Sequence, residues 1–519
     1  MENPERMGEN CGEREMASDD SKLLIQGGLV YDHDGDPHKP AAADILIEGA
    51  VIAAVGPDLP ATQTRDAEVI DASNHLVIPG LINAHYHSHD TLCRGMFEEM
   101  PLEFWLLYTL PMGGNRSKEE VRLRTLVGAL ESMRCGITTV QDMLGLVPLD
   151  GDYVDVVVSA YEEIGERVVF SPMVSDVPAV GMLCYKDILP SEIHDMIGTK
   201  TQGSAADQLD FLEAEIQRRP NQPTTHWAVG PFAPQRCTPE LLAGCADLAE
   251  RHDLGIYIHV YETRGQIVMA REAYGDYGGS FINYMAEAGI LNHRLNIAHS
   301  VWIGRDEMDR MAEADAGAVL NHLSNMKLKS GIAPLLDMRD ASMRVALGCD
   351  NCSGSDVQNM FQAMKMYCLL SAVSEPEPGP PLAHEALRLA TLGGARTAMM
   401  DDRLGALRPG YKADLVLLDM TDTAYLPYNS AARQIVYTET GRSVDTVVID
   451  GRVVIRDRVV QTIDEDALRR EVIDLMRSFI VDFDDVLKSR ESALSHMLKL
   501  HRRIWSTDIG LNRFISRTQ

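Results

Sequence analysis

The chain has 519 residues, of which 24% are charged and 45% apolar, and its formal net charge is −29. That length exceeds one ordinary core and calls for a large domain plus a smaller one. The composition is that of a soluble protein, and the negative charge argues against nucleic acid and against an anionic membrane surface as partners.

The first residues, Met1 to Lys22, are polar and charged without an apolar centre. They read as a disordered tail over 1–21 and not as a signal peptide. No apolar run approaches the ~18 residues that a membrane span needs. Nine scattered cysteines suit a reducing compartment, and hence a cytoplasmic location, better than a disulfide framework.

Short strands are expected in residues 22–76. Asp44–Ile47 and Val51–Val55 flank Glu48-Gly49-Ala50, a hairpin signal. A near-mirror lies in 401–460, where Val447–Ile449 and Val453–Ile455 flank Asp450-Gly451-Arg452. The two units are expected to pair into one β-sandwich, with the long middle, 77–400, inserted between them.

That middle alternates. Strands are expected at Leu81–His87, Thr138–Met143, Arg167–Val174, Thr225–Phe232, Gly255–Glu262, Leu295–Val301, Gly317–Leu323 and Arg344–Asp350. Amphipathic helical patterns separate most of them; Thr238 to Asp253 carries a Thr N-cap, Pro239 at the first helical position and an apolar face. Strand and helix alternating over this length predict an α/β fold with a (β/α)8 TIM barrel. A doubly wound open sheet is the alternative, but no G-x-G-x-x-G turn follows an early strand. Residues 461–519 form a helical, charged extension that serves packing or an oligomer surface.

Active sites of such barrels form at the C-terminal ends of the strands. Strand one ends in His85-Tyr86-His87, two imidazoles on one side of a strand. Strand five brings His259 and Glu262, strand six His299, and strand eight Asp350. A lone His at a strand end is usually structural; four His with two carboxylates on one rim are not. Three His and a carboxylate suit Zn²⁺ first, with Fe²⁺ as the alternative, and leave a position open for water. Asp350 and His299 can assist that water, and Glu262 can relay a proton to a ring nitrogen or leaving amine. Cys349 and Cys352 form a C-x-x-C around Asp350. The role open to Asp350 makes a redox pair the weaker reading.

From the N-terminal β unit to the C-terminal one, the chain resembles the amidohydrolase superfamily, in its branch of metal-dependent deaminases and triazine hydrolases. The resemblance rests on Pro79-Gly80-Leu81-Ile82-Asn83-Ala84-His85-Tyr86-His87, Pro101-Leu102-Glu103-Phe104-Trp105-Leu106, His259-Val260-Tyr261-Glu262-Thr263, Ala298-His299-Ser300-Val301 and the run Ser324 to Pro334. It implies His85, His87, His259 and Asp350 as ligands of one divalent metal ion per subunit, and Glu262 with His299 as the proton-transfer pair, Asp350 assisting. It also implies the split β-sandwich around a barrel.

Several positions depart from that branch. Phe232 and Leu320 stand where its nucleoside deaminases carry His, His322 stands where Pro is usual, and Cys349 replaces Thr. Asn351 replaces Gly, and His89 and Asp90 replace apolar residues. Neutral drift would explain them equally well; if they shape the pocket, they favour an unusual heterocycle over a nucleoside. Trp105, Phe232, His322 and Asn351 are the expected substrate contacts, the two aromatic rings as apolar walls.

The expected function is hydrolytic deamination of an amino-substituted N-heterocycle, a small-molecule substrate, in a homodimer or higher homo-oligomer. Displacement of halide or alkylamine from a triazine-like ring is the near alternative, and a non-catalytic scaffold with this fold is the distant one.

Overall fold

A computed structural model describes residues 21–377, 379–380 and 382–515. The expected tail, 1–21, falls almost wholly outside the described residues. The first β unit and the last join in one nine-stranded sheet. The seam is an antiparallel pair, His75–Pro79 against Leu415–Asp419, with Val416 opposite Ile78. Ile25, Ile45, Ile47, Val77, Leu415 and Leu417 close into a small core of their own. The two expected hairpins meet at their tips. A Cβ on Gly451 would lie 1.9 Å from the Gly49 carbonyl oxygen, and Gly451 has φ +78°, so only glycine fits there.

The middle is a parallel barrel of nine strand segments. Strand eight is interrupted. Arg344–Leu347 pairs with strand seven, and Asp350–Asn351 pairs with strand one, Asp350 opposite Tyr86 and Asn351 opposite His87. That second pairing closes the ring. The break falls at Gly348, where a Cβ would sit 2.4 Å from Asn321 Oδ1 and 2.9 Å from His85 Cβ. The fold is thus a TIM barrel carrying a β-sandwich domain. Arg167, at the start of strand three, ties the two together. Fully buried, it donates to Asp414 at 2.9 and 2.8 Å and to Asp450 at 3.1 Å. Removing one partner from so buried a pair costs about 3–5 kcal/mol.

Three strands end two or more residues sooner than their sequences suggest. Strand five stops at Val260, strand six at His299 and strand seven at Leu320. Residues His322–Lys327 are helix, not strand.

The C-terminal extension is a helix, Glu465–Arg490, then a second, Leu494–Ser506. Asp464 caps the first by accepting from the backbone N–H of Asp466 and Ala467. Its Phe479 and Phe483 are buried against the barrel, Phe483 edge-on to Phe97 at 5.5 Å. The segment after the second helix runs across the top of the barrel. Arg513 donates to the carbonyls of Val301 and Ile303, both at 2.8 Å, and its own carbonyl accepts from Ile332 N–H at 2.9 Å. Arg264 donates to Thr507 O at 2.7 Å and lies 5.4 and 5.1 Å from the ring centroids of Trp302 and Trp505. The strap therefore holds the loops after strands five, six and seven. No helix among the described residues is long and apolar enough to cross a membrane.

Candidate metal centre

The rim gathers His85, His87, His259, His299, Glu262 and Asp350, all buried. His87 and His259 Nε2 lie 3.2 Å apart, and Asp350 Oδ1 lies 3.6 Å from His85 Nε2 and 3.4 Å from His87 Nε2. The far side of each ring explains this aim. His87 Nδ1–H donates to Met143 O, and His259 Nδ1–H donates to Phe232 O at 2.7 Å. Those bonds fix the tautomer and leave both Nε2 lone pairs facing one point. His85 Nε2 is buried there without a hydrogen-bond partner. Lone pairs crowded together without a donor between them repel. A cation at their centre removes the conflict, so the residues fit a divalent ion.

The electrostatics agree. Burial first, then the neighbouring imidazoles, hold His85 and His259 well below the usual histidine range. Both are neutral at pH 7, as ligands must be. Burial pushes the Asp350 carboxyl up, but His299 and His87 outweigh it and leave the group below its ordinary value, ionised.

Backbone geometry aims the other side chains. Tyr261, His299, Ser300 and Asp350 have φ of +55°, +77°, +49° and +63°. Such left-handed conformations cost on the order of 1–3 kcal/mol each at non-glycine residues and collect at functional sites. The turn at Tyr261 is what brings Glu262 inward, although an offset of three from His259 would face outward in an extended strand. Glu262 Oε2 lies 3.6 Å from His299 Nε2, and Glu262 N–H donates to Gln266 Oε1 at 2.7 Å. Burial, then the charges of Asp350 and Glu103, push the Glu262 carboxyl well above the usual range. Asn325 Oδ1 accepts from His299 Nδ1 at 2.9 Å, which turns the His299 Nε2 lone pair toward Glu262. Asp350 is steadied through Asn83. Asn83 Oδ1 accepts from Cys349 N–H at 2.9 Å, Asn83 donates to Gln358 at 2.7 Å, and Gln358 donates to Asp350 O at 2.9 Å.

A cavity of about 430 Å³ opens over this centre. Trp105, Phe232 and Asn351 line it, with Leu102, Leu146 and Met173. Trp105 is held by its indole N–H on Ser353 Oγ at 3.0 Å, and Phe232 by the Arg236 guanidinium, 4.9 Å from the ring centroid. His322 is a correction. It does not line the cavity but is buried with its ring facing Tyr367 at 6.1 Å, because strand seven has already given way to helix at that residue. His89 lines the wall, whereas Asp90 accepts from the backbone N–H of Cys352 and Ser353, both at 3.0 Å, and joins the loops after strands one and eight.

Sequence reasoning assigned no role to Glu103, Thr263 or Gln266 on the wall, nor to Asn325 and Gln358 behind the rim. Glu103 accepts from the Thr263 hydroxyl at 2.7 Å. All but Gln266 and Gln358 sit in or beside the quoted motifs, which was the available signal.

Cys349 and Cys352 are unpaired thiols. The first faces Met360 Sδ at 3.6 Å and the second accepts from Gln358 at 3.5 Å. Burial pushes the Cys352 thiol up to about 12, far from a redox-active thiolate. Turnover is expected to be indifferent to a non-thiol reductant. A Cys349→Ser/Cys352→Ser variant that folds and binds metal yet is inactive would contradict this.

A closed barrel carrying an imidazole–carboxylate cluster at the C-terminal rim, with a β-sandwich built from both chain ends, defines a class of hydrolases. The amidohydrolase family model matches residues 76–454, and the chain belongs to the amidohydrolase family. It is 31% identical over 449 residues to the 5-methylthioadenosine/S-adenosylhomocysteine deaminase of Pyrococcus furiosus, covering 86% of this chain and 98% of that one. It is 32% identical over 453 residues to the 5'-deoxyadenosine deaminase of Methanothermobacter thermautotrophicus, covering 86% and 96%. Among solved structures, a zinc-bound adenosine deaminase from Xanthomonas campestris superposes with a TM-score of 0.77 at 24% identity, covering 89% of this chain and 99% of that one. The zinc complex of atrazine chlorohydrolase TrzN from Arthrobacter aurescens TC1 superposes at 0.75 and 24%, covering 87% and 99%.

Proposed function

We propose that the protein is a metal-dependent aminohydrolase that releases ammonia from an amino-substituted N-heterocycle. The observation that carries this reading is the join of two half-sites. The unpartnered His85 Nε2 and the facing His87 and His259 Nε2 atoms beside Asp350 suit a cation, and the buried Glu262–His299 pair faces the same cavity. His85, His87, His259 and Asp350 would hold the ion, zinc in the first place and iron as the alternative. Bound there, it supplies Lewis acidity that makes water a nucleophile at neutral pH.

The rest falls to the chain. Trp105 and Phe232 hold a planar ring between apolar walls, with Asn351 at the cavity edge. Glu262 delivers a proton to the ring nitrogen beside the carbon under attack, and its Oε2 takes one in turn from the attacking water. His299, kept in one tautomer by Asn325, offers Nε2 to the same proton path, and Asp350 Oδ2 lies 3.9 Å from its Nδ1. The proton taken from the water, passed on to the exocyclic nitrogen, lets it leave as ammonia, and the remaining hydroxyl proton returns Glu262 to its starting state. The eight unpaired cysteines among the described residues suit a cytoplasmic location.

The deciding experiment assays 5'-substituted adenosines, aminopurines, aminopyrimidines and s-triazines for ammonia, halide and alkylamine release. Ammonia from at least one ring is the expected result. Halide or alkylamine without ammonia would replace the reading with a triazine-type displacement, and metal-free inactive protein would replace it with a scaffold. The relatives named above make 5'-substituted adenosines the first compounds to test. Phe232, where nucleoside deaminases of the branch carry His, makes the other rings a necessary arm.

A further inference from the structure

The helix Glu465–Arg490 lies beyond residue 454, where the family match ends. Leu468, Phe479 and Phe483 commit its inner face to the barrel. Its outer face is left apolar at a fixed spacing. Ile473 is 55% exposed, Ile480 49% and Leu487 38%, each seven residues from the last, and Val481 beside them is 57% exposed. Seven-residue spacing keeps such residues in one row along a helix, as at a helix–helix seam.

The charges along that face are self-complementary. Arg470, Arg477 and Asp484, with Glu491 capping the helix end, form a second row, all exposed, running between the isoleucine row and Val481. Bases occupy its first half and acids its second, symmetric about the midpoint between Ile480 and Val481. A neighbouring row, Asp474, Val481 and Lys488, has the opposite order of charge and is centred half a residue further on, at Val481. Two antiparallel copies related by a two-fold axis at that midpoint would set Arg477 against the second copy's Asp484, Arg470 against its Glu491, and Asp474 near its Lys488. A parallel pairing about the same row would set each arginine against its own copy. Among the described residues, the ion pairs made by these charges are exposed i,i+3 contacts, Arg477 with Asp474 at 3.3 Å and Lys488 with Asp485 at 3.7 Å, which contribute little.

We infer that the outer face of this helix is an isologous interface that binds a second copy of the same chain, antiparallel and centred at Ile480 and Val481. Sedimentation velocity of the full-length protein tests it. The wild type is expected at an assembly mass that Arg477→Asp alone and Asp484→Arg alone each halve, with melting temperature and activity kept, since both residues point away from the site. The double variant Arg477→Asp/Asp484→Arg restores the assembly, and so does mixing the two single variants, because each then meets its opposite charge. A wild type that sediments as a single chain, single reversals that leave the assembly intact, or a double variant that fails to restore it would each overturn the interface.

Discussion

His87→Ala and Asp350→Asn are each expected to lose bound metal and turnover together, with activity falling to background. The two residues come from opposite ends of the barrel sequence and meet only because Asp350–Asn351 pairs with strand one. His87 contributes an Nε2 lone pair whose direction is set by Met143 O, and alanine removes it outright. Asparagine keeps the shape of Asp350 but removes the negative charge that balances the cation. The check is metal content per chain beside melting curves. A ligand that binds only the folded state raises the melting temperature, so chelation should lower it in the wild type and leave both variants unmoved. Full metal and full turnover in both variants would separate strands one and eight from any common centre.

Glu262→Gln is expected to keep the metal and a near-native KM while kcat falls by about 10²-fold or more, the scale of a lost general acid–base group. The amide matches the carboxyl in size and keeps the backbone bond to Gln266, so the fold has no reason to change. What it lacks is an oxygen that can take and give a proton 3.6 Å from His299 Nε2. Metal loss in this variant would make Glu262 a ligand instead. An unchanged kcat would remove it from the proton path altogether.

Much of this was legible in the sequence because it is periodic. Strand and helix alternation announces the barrel, and the H-x-H at the end of an apolar run announces the rim. What was not legible is set by single backbone angles and distant contacts. Glu262 lies at a spacing that points outward until Tyr261 turns the chain at φ +55°. His322 continues the apolar run Gly317–Leu320 by eye, yet Asn321, at φ −115° and ψ 62°, ends the strand and starts a helix that takes the ring away. Asn83 and Gln358 hold Asp350 across 275 residues of sequence, and no local pattern marks such a pair.

The strap over the barrel has a consequence for the order of synthesis. Arg513 holds the loop that follows His299, and the β-sandwich seam waits for Leu415–Asp419. A ribosome that has made every proposed metal ligand has therefore reached only Asp350, with the partner strand of His75–Pro79 and the clamp on the strand-six loop still to come. The final catalytic geometry therefore waits until Leu415–Asp419 and Arg513 have been made and docked.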